Sequence, residues 1–370
     1  LRRLPLSALL LVGCFSPQGE PLEFETLPFE NDHTLFPDIV LRPFEFPELL
    51  CPDGEPSVFY AVYREGMTEP APIVLFFHAG AFDYVYNPDP TNPLAGGGYR
   101  DERRFSAEWA GNKVFETFGL LPGEAIDPAE INDGTLPAAL ANAGAFTLYP
   151  ANCWGDLWHN EDYYSPNNWD ADGSMHRQGR FLAWWMTRIA STDAVEATAW
   201  RAEYGLDTLT VPLDASGVYI VGLGEGGRAA AELLRRVRDA SDTTMPPVKG
   251  ILLDSTMDKL FHLTVAAEFS QISTGLERIF PEEFDGIAPD DIGQYSLDRW
   301  IGERGLTQSL QVVYSSADTQ VPNQTLADLL ARQTTYPDLM TVTDVGTSGH
   351  VFLNNDIGAA RRAVTELLGE

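Results

Sequence analysis

Residues 218–238, VYIVGLGEGGRAAAELLRRVR, constrain the fold more than any other stretch of the chain. The run at 218–221 is β-branched and aromatic, the composition of a buried strand. From 228 to 238 alanines and leucines recur at helical spacing, with Arg and Glu on the opposite face. Between them lies GLGEGG at 222–227, too rich in glycine for anything but a tight strand-to-helix turn. Such a turn aims several backbone N–H groups at one spot, beside a helix N-terminus that favours negative charge.

The remaining sequence supplies the strands and helices that such a unit needs. Short apolar runs at 73–77 (IVLFF), 146–150, 250–253 (GILL), 310–314 (LQVVY) and 340–345 have strand length, and 57–64 alternates in strand fashion. Helical patterns fall at 180–188, 193–204, 325–333 and 357–368, the second opened by Ser191, Thr192 or Asp193 as N-cap. Strands alternating with helices predict an α/β fold with a mostly parallel, doubly wound sheet, its ligands at the carboxyl ends of the strands. Two long excursions interrupt the alternation, at about 83–142 and 257–304, and the first contains a short helical run at 137–143.

Charge narrows the partners. The 370 residues carry a formal net charge of −30. Nucleic acid needs clustered positive charge, so no nucleic-acid partner is expected, nor adhesion to anionic lipid headgroups. The N-terminus has another character: Arg2 and Arg3 precede an apolar run at 4–12, and LVGC follows, ending at Cys14. A leader this short is a secretory signal and not a membrane span. LVGC resembles the lipobox of bacterial lipoproteins, in which Cys14 is the lipidated residue. That resemblance implies export to the bacterial cell envelope, with the lipid anchor as the sole membrane contact. Residues 15–50 then read as a tether and lead-in, and 51–370 as the folded domain. Cys51 and Cys153 are free to pair or to stay as separate buried thiols.

Two schemes fit the glycine-rich turn. As G-x-G-x-x-G, Gly222, Gly224 and Gly227 match the dinucleotide-binding fingerprint. As G-x-S-x-G-G, they match the nucleophile elbow of the α/β-hydrolases, with Gly224 where the serine belongs. The rest of the chain favours the second scheme from about residue 57 onward. The loop HAGAF at 78–82 resembles the oxyanion loop that follows the third strand of esterases. Asp318, in DTQVP, resembles the D-x-x-V-P loop that supplies the triad acid, and His350, after Gly349, resembles the triad histidine. Elbow, acid and histidine come in the order of that family. A dinucleotide-binding fold explains neither of the last two loops, and its glycine-rich turn normally follows the first strand.

The chemistry implied by this resemblance is acyl transfer, with an ester-like small molecule as ligand and no cofactor. A histidine removes the proton of a serine hydroxyl, a carboxylate orients the histidine, and backbone N–H groups hold the oxyanion. On this chain the resemblance gives His350 as base, Asp318 as its orienter, and Glu225 with Gly80 or Ala81 as oxyanion donors. Asp254 is the alternative acid, since some hydrolases carry it one strand earlier. At the centre the pattern breaks: Gly224 has no side chain. Three explanations compete, namely a non-catalytic protein that keeps the pocket, attack by another group (Ser255 or a water activated by His350), or an altered codon. The first is the expectation. Asp156, His159 and Asp162, and likewise Asp285, Asp290 and Asp291, sit at loop spacings that fix no ligand geometry, so no metal site is expected.

Overall fold

The computed structural model describes residues 33–36, 39–50, 56–77, 117, 135–150, 193–203, 205–206, 209, 211–224, 226–227, 230, 247–255, 301–302, 305–318, 323–346, 352–354 and 356–369. Its framework is one sheet with the strand order β1-β2-β3-β5-β4-β6-β7-β8-β9. In chain order the strands are β1 (His33–Phe36), β2 (Ile39–Leu50), β3 (Pro56–Arg64), β4 (Ala71–Phe77), β5 (Phe146–Pro150), β6 (Leu213–Leu223), β7 (Val248–Asp254), β8 (Ser309–Tyr314) and β9 (Met340–Asp344). The pairs β5–β4, β4–β6, β6–β7, β7–β8 and β8–β9 are parallel, whereas β1–β2, β2–β3 and β3–β5 are antiparallel. The described helices are α1 (Leu136–Asn142), α2 (Ala194–Glu203), α3 (Asn323–Thr335) and α4 (Ile357–Leu368).

This order marks the place of a candidate site before any side chain is considered. From β4 the chain steps outward to β5, then crosses back to lay β6 on the other side of β4. The strand order therefore reverses between β4 and β6, a topological switch point at the carboxyl ends of those two strands. In open α/β sheets that is where ligands bind. Phe77 at the end of β4 is in register with Gly222 near the end of β6, so the two strands end side by side there.

The sheet is buried on both faces, and the described core cluster lies on the face that carries α1 and α4. A row of side chains crosses it, Tyr60, Tyr149, Phe76, Val221 and Leu252, each nearly or wholly buried. The Phe76 and Tyr149 ring centroids are 4.6 Å apart. Complete burial of a side chain of this size contributes about 2 kcal/mol, which is why runs such as IVLFF lie in the middle of the sheet. Burial also pushes the hydroxyls of Tyr60 and Tyr149 well above the usual phenol range and keeps them neutral. Helix α1 has Thr135 as N-cap and is buried along most of its length. The last turn of the first expected excursion is thus part of the core. Helix α4 starts at Asp356, whose carboxylate accepts the Ala359 N–H, and stops at Gly369 in the left-handed conformation (φ 75°).

The sheet also begins earlier than the sequence reading allows. Residues 33–50, expected within a tether and lead-in, provide β1 and β2, and β2 pairs with β3 from Ile39↔Arg64 to Phe46↔Ser57. Pro43 and Pro47 break the alternation that would announce a strand, and proline is tolerated there because this part of the sheet lies near its edge.

Candidate functional site at the carboxyl end of β6

At the end of β6 the backbone turns sharply. Gly224 has φ 52°, in the left-handed region that an L-residue enters only at a cost. Its N–H donates to the Asp254 carbonyl at 2.8 Å, extending the β6–β7 ladder by one bond, and its carbonyl accepts the Gly227 N–H at 3.2 Å. Gly226 and Gly227 are already helical. A Cβ on Gly222 would stand 2.6 Å from Gly227 Cα, so the first and last glycines of the motif are there because strand and helix touch at that point. The geometry is a strand–turn–helix elbow on a central strand, at the switch point of the sheet. The residue at its apex has no side chain.

Asp318 is placed two strands away from this turn. It is buried at the end of the loop that leaves β8, where its N–H donates to the Ser315 carbonyl at 3.0 Å and the Ala317 N–H donates to Ser315 Oγ at 3.2 Å. Neighbouring strands lie about 4.8 Å apart, so β6 and β8 are separated by about 10 Å. That loop is clasped from the side by Asp344 at the end of β9, whose Oδ1 accepts the N–H groups of Ser316 and Gly346, both at 2.9 Å. The Gly346 and Ser316 N–H groups hold the Asp344 carboxyl below its ordinary range. His350, Glu225, Gly80, Ala81, His78 and Cys14 lie outside the described residues, as do Cys51 and Cys153 and both groups of acidic residues weighed for a metal. Among the described residues no group of His, Cys, Asp and Glu is arranged to hold a metal ion.

The alternative acid and the alternative nucleophile prove to be partners of each other. Asp254, which ends β7, and Ser255 after it are both wholly buried. Ser255 Oγ donates to Asp254 Oδ1 at 2.8 Å. The other oxygen, Oδ2, accepts the Leu353 N–H at 2.6 Å, joining residues 99 apart in the chain. Ser255 has φ 52°, the one positive φ on a residue other than glycine among the described residues, at a cost of about 1 kcal/mol. Its N–H donates to the Val313 carbonyl of β8 at 3.0 Å. An attacking hydroxyl must be reachable, and this one is covered and directed at its neighbour's carboxylate. No local signal announces the link from Asp254 to Leu353. The sequence shows only that an aspartate ends an apolar strand.

Comparison with known proteins agrees with this architecture. No family profile matches the sequence, and no curated protein is significantly similar to it. Solved structures do match. A thermostable esterase from Pseudomonas putida superposes with TM-score 0.50 at 16% identity, over 90% of this chain and 84% of that one. Esterase B from Lactobacillus rhamnosis gives 0.51 at 12% identity, over 90% and 86%. A fungal esterase from Rhizomucor miehei gives 0.52 at 11%, over 90% and 83%. At such identities the likeness concerns architecture, and together with the mostly parallel sheet and its strand order it establishes that this chain has the α/β-hydrolase fold.

Proposed function

We propose that the chain is a non-catalytic member of this fold, exported to the bacterial cell envelope and anchored through Cys14, which keeps the switch point at the carboxyl ends of β4 and β6 as a binding site for a small ester-like molecule. One observation carries this reading: the elbow apex is Gly224, held at φ 52°. Read as a nucleophile elbow, this turn lacks the atom that would attack. Without it, catalysis falls to the residual acceleration that binding and oxyanion donors provide. The resemblance of Asp318 and His350 to a triad acid and base supports the reading that the remaining groups shape and polarise the pocket.

The experiment is a comparison of the native chain with Gly224→Ser on 4-nitrophenyl butyrate. The native protein is expected to bind the ester saturably in ligand-observed NMR without releasing nitrophenol, and the variant to release it slowly, with the release abolished by a further His350→Ala change. Ester cleavage by the native protein that His350→Ala abolishes would replace this reading with that of a hydrolase using another nucleophile or an activated water.

A further inference from the structure

Asp254 is a wholly buried carboxylate that the proposed site does not use, yet several parts of the site's framework converge on this residue. Its carbonyl receives the N–H of Gly224, the elbow apex. Its Oδ1 receives the hydroxyl of Ser255, whose own N–H is fixed to β8 at Val313. Its Oδ2 receives the N–H of Leu353, in the short 3-10 turn Phe352–Asn354 that leads into α4. Two adjacent residues thus tie the ends of β6, β7 and β8 to the segment that returns after β9.

That returning segment contains His350. On one side of it in the sequence, Gly346 is held by the Asp344 carboxylate, which also holds Ser316 in the loop of Asp318. On the other side, Leu353 is held by Asp254. A hydrophobic side chain would fill this place with less desolvation, because a buried carboxylate is costly to take from water. What a carboxylate adds is direction. Its two oxygens receive donors from two different elements at once, and the left-handed turn at Ser255 aims the hydroxyl at one of them.

We propose that Asp254 is a positioning residue, whose carboxylate fixes the segment carrying His350 relative to the elbow at Gly224. The role assigned to His350 rests on the reading of the site given above; the anchoring of Leu353 does not. Two variants of the full chain test it. Asp254→Asn keeps an oxygen for the Leu353 N–H and an amide N–H for Ser255 Oγ; Asp254→Leu keeps the volume and neither bond. Hydrogen exchange of peptides covering 345–356 is expected to accelerate at least tenfold in Asp254→Leu, with β6 and β8 unchanged, and to stay native in Asp254→Asn. The imidazole 15N shifts of His350 are expected to report one tautomer in the native chain and in Asp254→Asn, and an average of two in Asp254→Leu. Unchanged exchange at 345–356, acceleration spread evenly over the sheet, or an Asp254→Asn variant that behaves like Asp254→Leu would overturn the proposal. If Asp254→Leu does not fold, Asp254→Thr takes its place, being polar but too short to span both donors. An averaged tautomer already present in the native chain would remove the reading of His350 as a held base, and the exchange data alone would then judge the anchor.

Discussion

Strands β6 and β7 are tied together at both ends, by two devices that differ in burial. At the amino end Lys249 of β7 reaches Asp214 of β6 at 2.9 Å and Ser216 Oγ at 2.6 Å, and lies 5.9 Å from the centre of the Tyr219 ring. The two charged side chains are 31% and 32% exposed, so water competes for each of them. At the carboxyl end the tie consists of Gly224, Asp254 and Ser255, all buried, with two positive φ angles side by side. A wet ion pair contributes little and tolerates variation. A dry polar cluster is costly to bury and is worthwhile only where position matters. Where the chain spends strain and burial therefore marks the end of the sheet that has a geometry to keep.

The contrast is broken most severely at Gly222. An added Cβ would meet Gly227 Cα at 2.6 Å, Gly227 N at 2.8 Å and the Gly226 carbonyl at 2.9 Å, all of them backbone atoms without a rotamer to escape through. Gly222→Ala is expected to destabilise the fold by about 3 kcal/mol in urea unfolding, in the range of a forced backbone shift. A loss below about 0.5 kcal/mol, the scale of a neutral surface change, would mean that the elbow is looser than its contacts imply.

Ser255 sharpens the comparison, because its two contributions have opposite signs. Glycine at 255 relieves a left-handed φ worth about 1 kcal/mol but forfeits a hydrogen bond to a carboxylate worth about 1.5 kcal/mol. Ser255→Gly is therefore expected to change stability by less than about 1 kcal/mol. Alanine forfeits the same bond and keeps the strain, so Ser255→Ala should be the weaker of the two by about 1 kcal/mol. Equal stabilities for the two variants would show that φ at 255 stores no strain.

These contacts also show how far the sequence could be read. The runs at 73–77 and 310–314 are legible because a strand buried on both faces must be continuously apolar. The start of α2 is legible because Asp193 has a local task, accepting the N–H groups of Val195 and Glu196 at 2.9 and 3.1 Å. The elbow is legible because only glycine permits its contacts. Strand β6 is longer than its apolar signature, since its first half, from Leu213 to the bulge before Val218, is polar and pairs with the start of β4. Asp254 is the opposite case to Asp193. Its partner Leu353 lies 99 residues further along the chain, and no spacing rule connects them.

The smallest effect is expected at the amino end, and its pH dependence identifies it. Hydrogen bonds from Ser216, with the Lys249 ammonium beside them, hold the Asp214 carboxyl at about 2, below the ordinary 3.8. A carboxyl whose folded value is depressed adds stability that is complete above its unfolded value and is lost as pH falls through the folded one. The contribution of this pair should therefore be constant from neutral pH down to about 4 and fade between there and about 2. In a double-mutant cycle of Asp214→Asn and Lys249→Met the coupling is expected to be about 0.5 kcal/mol at neutral pH and low salt, and to shrink as salt screens two partly exposed charges. A coupling that exceeded about 2 kcal/mol, or that survived both salt and acid, would place this end of β6 and β7 in the same class as the buried end. Strain and burial would then no longer distinguish the end that bears the site.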